Sequence, residues 1–386
     1  MLHSLPIAPA LSARRGACPS LDAPMHTGDG LLARLRVAGG RLTPMQLTAI
    51  AALAREHGNG LVEITARGNL QVRGLREQSR AGFARAVLEI VQIERGLIVE
   101  TPPLASDDPR EIDDPRLLAK LIRTMAEAFA DRLGPKVTVI VDGNGQIGLG
   151  DLKADVRLTA VTSNHWAVSV GDGESETLTD DEALTKAVSV LTRLAALGPH
   201  ARATDLVGRS VQRGPRPKRA PIGAFALREG SAQGIALPFG SMDAQIIQDL
   251  CTAAMAEGVT MFCLAPHHAL IAIGASAKFN AQAESMGFIT KLADPRLRVS
   301  ACIGSEGCAS GHIPARLLAA QLAPLVHPGT HLHVSGCTKG CAHPRRADTT
   351  FVGLSKGLGL VIDGAAGDSP MALLQADQLE SALAAR

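Results

Sequence analysis

Four of the seven cysteines fall in two short stretches, "CIGSEGC" and "CTKGC". Cys302 and Cys308 enclose five residues, and Cys337 and Cys341 enclose three. Four clustered thiols point to a metal centre with four thiolate ligands. Zinc usually takes its cysteine pairs at spacings of two to four residues, so the first pair suits it poorly. An iron–sulfur cluster is larger and draws its ligands from more widely separated loop positions. Gly304, Gly307, Gly311, Gly336 and Gly340 let backbone N–H groups come close to sulfur, which tunes such a centre. The plain alternative is four unrelated thiols packed as small hydrophobes. Their neighbours are Gly, Ser, Thr and Lys, which does not suit a core. Cys251 and Cys263 do lie in apolar helix and strand patterns and read as core. Cys18, in "GACPS", has no assigned role.

The elements that must hold these thiols come from a duplication. In residues 40–75, Thr43 and Pro44 open a helix that Gly58 ends, and "LVEITA" and "LQVRGL" follow as strands around a Gly68–Asn69 turn. Residues 240–275 repeat that order. Ser241 is expected to cap a helix ending at Gly258, with "VTMFCLA" and "ALIAIGA" as strands. One offset of 200 aligns Gly40 with Gly240, Gly58 with Gly258, Leu70 with Leu270 and Gly74 with Gly274; it also aligns "RLLA" at 116–119 with "RLLA" at 316–319. At that offset Cys302 and Cys308 face Pro102 and Asp108. Where the offset slips to about 193, Cys337 and Cys341 face Asn144 and Gly148. The first half therefore has the architecture without the thiols. The expected units are a tail at 1–22, a half-domain at 23–85, an α+β unit at 86–207, a basic Pro/Gly linker at 208–221, a second half-domain at 222–292, and a second α+β unit at 293–386 carrying the cysteines.

Composition excludes several classes. A net charge of +2 and 2% aromatic residues disfavour a nucleic-acid partner. No apolar run is long enough for a membrane span, and the N-terminus lacks a signal-peptide pattern. An odd number of cysteines without an export signal suits reduced thiols in a cytoplasm.

The C-x5-C and C-x3-C boxes in the second half of a duplicated chain resemble the siroheme-dependent sulfite and nitrite reductases. The likeness extends to "LLARLRVAGGRLTPMQLTAIAALA" and "ITARGNLQVRGL" and covers most of residues 28–364. It implies an α+β fold of duplicated nitrite/sulfite reductase-like architecture, with two ferredoxin-like half-domains and two α+β units. It also implies a 4Fe-4S cluster on Cys302, Cys308, Cys337 and Cys341, with Cys341 nearest the tetrapyrrole. Within that superfamily, "ACPSLDAPMHTGDGLLARLRVAGGRL", "SGCTKGCAHP" and "GLGLVIDGAAGDSP" are most similar to the precorrin-3B synthase family of aerobic cobalamin biosynthesis. That resemblance implies a monooxygenase that uses O2 and an electron donor, NADH or a reductase. Its substrate is precorrin-3A, hydroxylated at C20 with closure of a γ-lactone. It also implies a non-haem iron.

By the same resemblance, Arg34, Arg67, Arg95 and Lys136 stand where the reductases hold siroheme carboxylates. Arg36, Arg73 and Lys339 are further candidates. Arginine suits such work because its fork grips carboxylates in a bidentate manner. For each, a solvated surface charge is the plain alternative. Glu63 and Thr138 replace a reductase arginine and lysine, which removes positive charge and suits a neutral co-reactant such as O2. His267 and His268 are candidates for the non-haem iron, although neighbours on a strand would point to opposite faces. His312 and His343 flank the cysteine boxes. Two other readings stand beside the synthase: a siroheme sulfite or nitrite reductase, with siroheme as cofactor, and a non-catalytic tetrapyrrole-binding metalloprotein.

Overall fold

The two halves exchange strands. A computed structural model describes residues 18–207 and 220–384. Residues 1–17 of the expected tail and most of the expected linker lie outside them. The first half opens with β1 (Met25–Thr27), β2 (Gly30–Leu35), β3 (Arg41–Leu42), α1 (Pro44–His57), β4 (Leu61–Ile64), β5 (Leu70–Leu75) and α2 (Arg80–Ile90). It continues through β6 (Ile98–Glu100), α3 (Pro115–Ala126), β7 (Thr138–Asp142), β8 (Val156–Thr162), β9 (His165–Val170), β10 (Glu176–Thr179), α4 (Asp180–Leu197) and the short α5 (Thr204–Val207).

The second half repeats the order: β11 (Gly223–Ala226), β12 (Ser231–Ala236), β13 (Ser241–Asp243), α6 (Ala244–Ala256), β14 (Met261–Ala265), β15 (Ala269–Ile273) and α7 (Ala277–Ser285). Then come β16 (Val299–Ala301), α8 (Ala315–Leu322), β17 (Leu332–Ser335), β18 (Ala347–Leu354), β19 (Gly357–Gly364), β20 (Ala372–Leu374) and α9 (Leu379–Ala384).

Four five-stranded sheets result. The half-domain sheets run β1-β2-β5-β4-β13 and β11-β12-β15-β14-β3. Each ends on a short strand from the other half, which covers an edge that would otherwise present unpaired backbone. The helices after these strands share one core. Leu47, Ile50 and Ala54 of α1 and Ile247, Leu250 and Ala254 of α6 are all buried in the same cluster, again at an offset of 200. The matched Gly40/Gly240 and Gly74/Gly274 have φ of +65°/+77° and +68°/+82°, a left-handed backbone that favours glycine and explains their identity.

The α+β units form the sheets β10-β9-β8-β7-β6 and β16-β17-β18-β19-β20, in which the first three strands in chain order are parallel. Each unit docks across the pseudo-twofold. The Gly28 N–H donates to the Gly307 carbonyl at 3.2 Å, and the Arg228 N–H donates to the Asp107 carbonyl at 2.8 Å. Each α+β unit thus grips a hairpin of the opposite half-domain.

Three expectations are corrected. Ser241 does not cap a helix. It pairs with Glu63 in β13, and Asp243 takes the cap by accepting from the Gln245 N–H at 2.7 Å. The boundary at 85 falls inside α2, whose buried Phe83 and Val87 belong to the shared core, so the half-domain runs through Ile90. His267 and His268 are not on a strand. They form the turn between β14 and β15, with φ of +58° and +65°.

A candidate tetrapyrrole cavity and a paired-thiol site

Thr65 shapes the turn that carries Arg67. Its hydroxyl accepts from the N–H groups of Arg67 at 3.3 Å and Asn69 at 3.0 Å. Gly68 has no room for a Cβ, which would lie 2.9 Å from the Ala265 carbonyl carbon. The matching turn of the other half meets this one through the His267 N–H, which donates to the Ala66 carbonyl at 3.0 Å.

Arg67, Arg34, Arg36 and Arg95 line a cavity of about 430 Å³ between the first half-domain and the first α+β unit. Arg36, Arg67, Asn69, Glu94, Ile98 and Glu100 separate it from a second cavity of about 390 Å³. Both volumes suit small-molecule sites, which span about 300–1,000 Å³. The second cavity adds Arg41, Arg116 and Arg123.

Most of these cations already have acids. Arg67 binds both carboxylate oxygens of Glu100, Arg36 lies 3.7 Å from Glu94, and exposed Arg95 pairs with Asp22 at 2.9 Å. Arg34 differs. Its Nε donates to Gln71 at 2.9 Å, and no carboxylate pairs with it among the described residues. Burial pushes its pKa down, opposed by the Cys18 thiol beside it. Arg34 is therefore the lining cation with the most capacity left for an incoming carboxylate.

A buried polar ribbon leads from Arg34 across the sheet. Gln71 donates to Glu63 at 3.0 Å, and Glu63 accepts from Arg316 of α8 at 2.6 Å and lies 3.6 Å from Arg73. Arg73 also binds Asp29 at 2.9 Å and the Gly307 carbonyl at 3.0 Å. Burial works against the charge of Arg73, but Asp29 and Glu63 outweigh it and raise the pKa. Burial also pushes Asp29 up, but Arg73 and Thr27 hold it below its ordinary value.

The thiols sit where adjacent parallel strands end. β16 pairs with β17, Cys302 follows β16 directly, and Cys337 stands two residues beyond β17. Such strand ends are where open α/β sheets bind ligands. The Gly336 N–H donates to Cys302 Sγ at 3.1 Å, as it would to a thiolate. The His312 N–H donates to the Gly336 carbonyl at 2.8 Å, and Lys339 Nζ binds Ser310 Oγ at 2.8 Å, joining the two loops. All four thiols are unbridged; Cys341 is exposed and the others half-buried. A Cβ on Gly336 would come within 2.8 Å of Gly304 Cα. Among the described residues no three His, Cys, Asp or Glu side chains are disposed around a single ion.

The first half shows what replaces the thiols. Asp108 accepts from the Gln146 side chain at 3.0 Å and from its backbone N–H, and Asp142 accepts from Asn144 and Leu149 at 2.9 and 2.8 Å. A carboxylate–amide clasp closes these loops.

Other candidates fall elsewhere. Arg73 and Lys339 line neither cavity. Lys136 is half-buried between two lining residues, Pro135 and Val137, and is not itself in the wall. His267 Nε2 binds Asp151 at 2.9 Å, and His268 Nδ1 lies 2.6 Å from the Ile64 carbonyl. The pair therefore gathers no third ligand, and the described residues around it do not fit a non-haem iron. The sequence reading missed Arg41, Arg116 and Arg123. For Arg116 and Arg123 the available signal was their place on α3, whose apolar stripe is Leu118, Ala119, Ile122 and Ala126.

Residues 23–90 match the nitrite/sulfite reductase ferredoxin-like half domain. The NirA protein of Mycobacterium tuberculosis superposes with a TM-score of 0.65 over 91% of this chain and 79% of its own, at 18% identity. Fold and half-domain define a protein of nitrite/sulfite reductase-like architecture. A precorrin-3B synthase from a Sinorhizobium species is 38% identical over 97% of this chain and 88% of that protein. The chain belongs to the precorrin-3B synthase family.

Proposed function

We propose that this enzyme hydroxylates precorrin-3A at C20, using O2 and electrons from NADH or a reductase, and closes the γ-lactone of precorrin-3B in aerobic cobalamin biosynthesis. The observation that carries this reading beyond family membership is the arginine-lined cavity in which Arg34 has no acidic partner among the described residues. A precorrin is a flat macrocycle bearing many carboxylates, and fixed guanidinium groups bind and orient it. Arg34 and Arg36 hold carboxylates on one wall, and Arg67 positions another by exchanging Glu100 for the substrate. Glu63 and Asp29 together offset the charges of Arg73 and Arg316, so the ribbon behind the cavity adds little net positive charge. That favours a neutral co-reactant over sulfite.

Cys302, Cys308, Cys337 and Cys341 would hold a 4Fe-4S cluster, which supplies single electrons when bound. The N–H of Gly336 on Cys302 and the close-packed glycines fit such a group. Unbridged thiols suit a cytoplasmic enzyme. No helix among the described residues is long and apolar enough to cross a membrane.

Purified protein should convert precorrin-3A aerobically with a reductant and incorporate label from 18O2 into the product. Label from water, or stoichiometric copurification of siroheme, overturns the reading. Tight binding without conversion would make the chain a tetrapyrrole carrier.

A further inference from the structure

The wall between the two cavities carries acids, where the ligand would bring its own. Glu94 and Glu100 line both cavities, whereas Asp22 lines the first alone. Small-molecule sites span about 300–1,000 Å³, and a tetrapyrrole with its carboxylate arms belongs near the upper end. At about 390 and 430 Å³, neither cavity alone is that large.

The two acids of the wall are held differently. Glu94 accepts from the Gly39 N–H at 3.3 Å and lies 3.7 Å from Arg36 and 3.4 Å from Arg123, so three groups fix it. Glu100 is the last residue of β6, the edge strand of its sheet. Among the described residues its side chain hydrogen-bonds only to Arg67, through both oxygens. Arg67 keeps a second anchor, because its Nη1 donates to the Lys153 carbonyl at 2.9 Å. Arg157 lies within charge range of both partners. Glu100 is therefore the partner free to leave, with another cation nearby to receive it.

We propose that Glu100 is a gate that sets ligand specificity: it holds Arg67 in place of a ligand carboxylate and keeps the two cavities apart until a polycarboxylate tetrapyrrole displaces it. A ligand carboxylate on Arg67 replaces one bidentate ion pair by another, so a lone carboxylate gains almost nothing there. A ligand that also reaches Arg34 gains a new charged contact, because Arg34 has no acid of its own among the described residues. The closed wall thus selects for carboxylates spaced around a large ring. This role rests on the tetrapyrrole reading, which supplies the carboxylates, and it names the residue that opens the space for them.

The probe is uroporphyrin, a polycarboxylate tetrapyrrole, titrated by calorimetry into full-length protein with its cysteines loaded. Glu100→Gln should bind it at least ~5-fold tighter than wild type, since the ligand no longer has an ion pair to displace. Glu100→Asp keeps the charge but is too short to grip both nitrogens of Arg67. It should also bind tighter, which separates loss of the contact from loss of a repelling charge. In an Arg67→Leu background, Glu100→Gln should change affinity less than ~2-fold. A wild type that binds no uroporphyrin overturns the tetrapyrrole reading, and this role with it. A wild type that binds, with a folded Glu100 variant that binds no tighter, overturns the gate alone. So does tightening that persists undiminished in the Arg67→Leu background.

Discussion

Arg73 donates to the carbonyl of Gly307 at 3.0 Å, across 234 residues of chain. One guanidinium thus joins the first half-domain to the loop between Cys302 and Cys308, and its other contacts are the buried acids Asp29 and Glu63. Asp29→Asn should break this clamp. Losing one partner of a buried ion pair costs about 3–5 kcal/mol, and Glu63 remains to compensate, so about 2–3 kcal/mol is expected. Because the pKa of Asp29 is depressed in the folded state, its stabilisation exists above its ordinary value of 3.8 and is lost as pH falls through the lower folded value. Urea denaturation at pH 7 and at pH 3 should therefore show a smaller difference between wild type and variant in acid.

Glu111 behaves in the opposite sense. Burial raises its pKa to about 7, against the Ser106 N–H that its carboxylate accepts at 2.7 Å. Its contribution is fully present below about 4.5, where it is protonated in both states, and is lost as pH rises through 7. Glu111→Gln should gain stability relative to wild type at pH 8, on the order of 1–2 kcal/mol after allowance for screening, and gain nothing at pH 5. Equal melting-temperature differences at the two pH values would contradict this.

Cys341→Ser should lose iron, sulfide and activity together. Cys251→Ser should keep all three, because Cys251 lies fully buried in α6, where burial pushes its thiol up to about 12. Iron and sulfide assays on the two purified variants decide the matter.

Two glycine substitutions should act in opposite directions. A Cβ on Gly28 would come within 2.8 Å of the Cys308 carbonyl carbon, so Gly28→Ala should prise the thiol loop from the β1–β2 hairpin and cost about 1–3 kcal/mol. Gly82, inside α2, would meet only His57 at 3.7 Å. Gly82→Ala should stabilise by about 0.5–1 kcal/mol. Thermal melts of both variants check the signs.

Arg34→Leu should weaken binding of a uroporphyrin-type polycarboxylate ~10–100-fold, because hydrogen bonds to charged groups are worth about 1.5–3 kcal/mol. Arg95→Leu should change it little, since Arg95 is spent on an exposed pair with Asp22. Titration calorimetry separates the two.

Local signals carried well from sequence to structure. Thr43 and Gln46 cap each other's backbone at 2.9 and 3.2 Å around Pro44, as the residue types imply. The Gly68–Asn69 turn also lies where the pattern puts it. The exchanged strands β3 and β13 were not legible. Each has two or three residues, too few for periodicity, and each pairs with a strand of the other half. Ser241 was misread for that reason. The cavity wall was half legible. Arg34 and Arg67 sit in recognisable motifs, Arg123 offered only its place on α3, and Arg41 joins them only through tertiary packing. His267 and His268 take a left-handed backbone that their residue types do not announce.

The strand exchange has a consequence for how such a chain arises. A single half, standing alone, would leave the open edge of β4 or β14 without a strand to cover it. Two identical halves would satisfy each other at once, as a symmetric dimer with two equal loop sites. Joining them end to end keeps every contact and frees one site from its duty. In this chain the freed site holds Asp108 and Gln146, and it serves as a rivet while its twin retains the thiols.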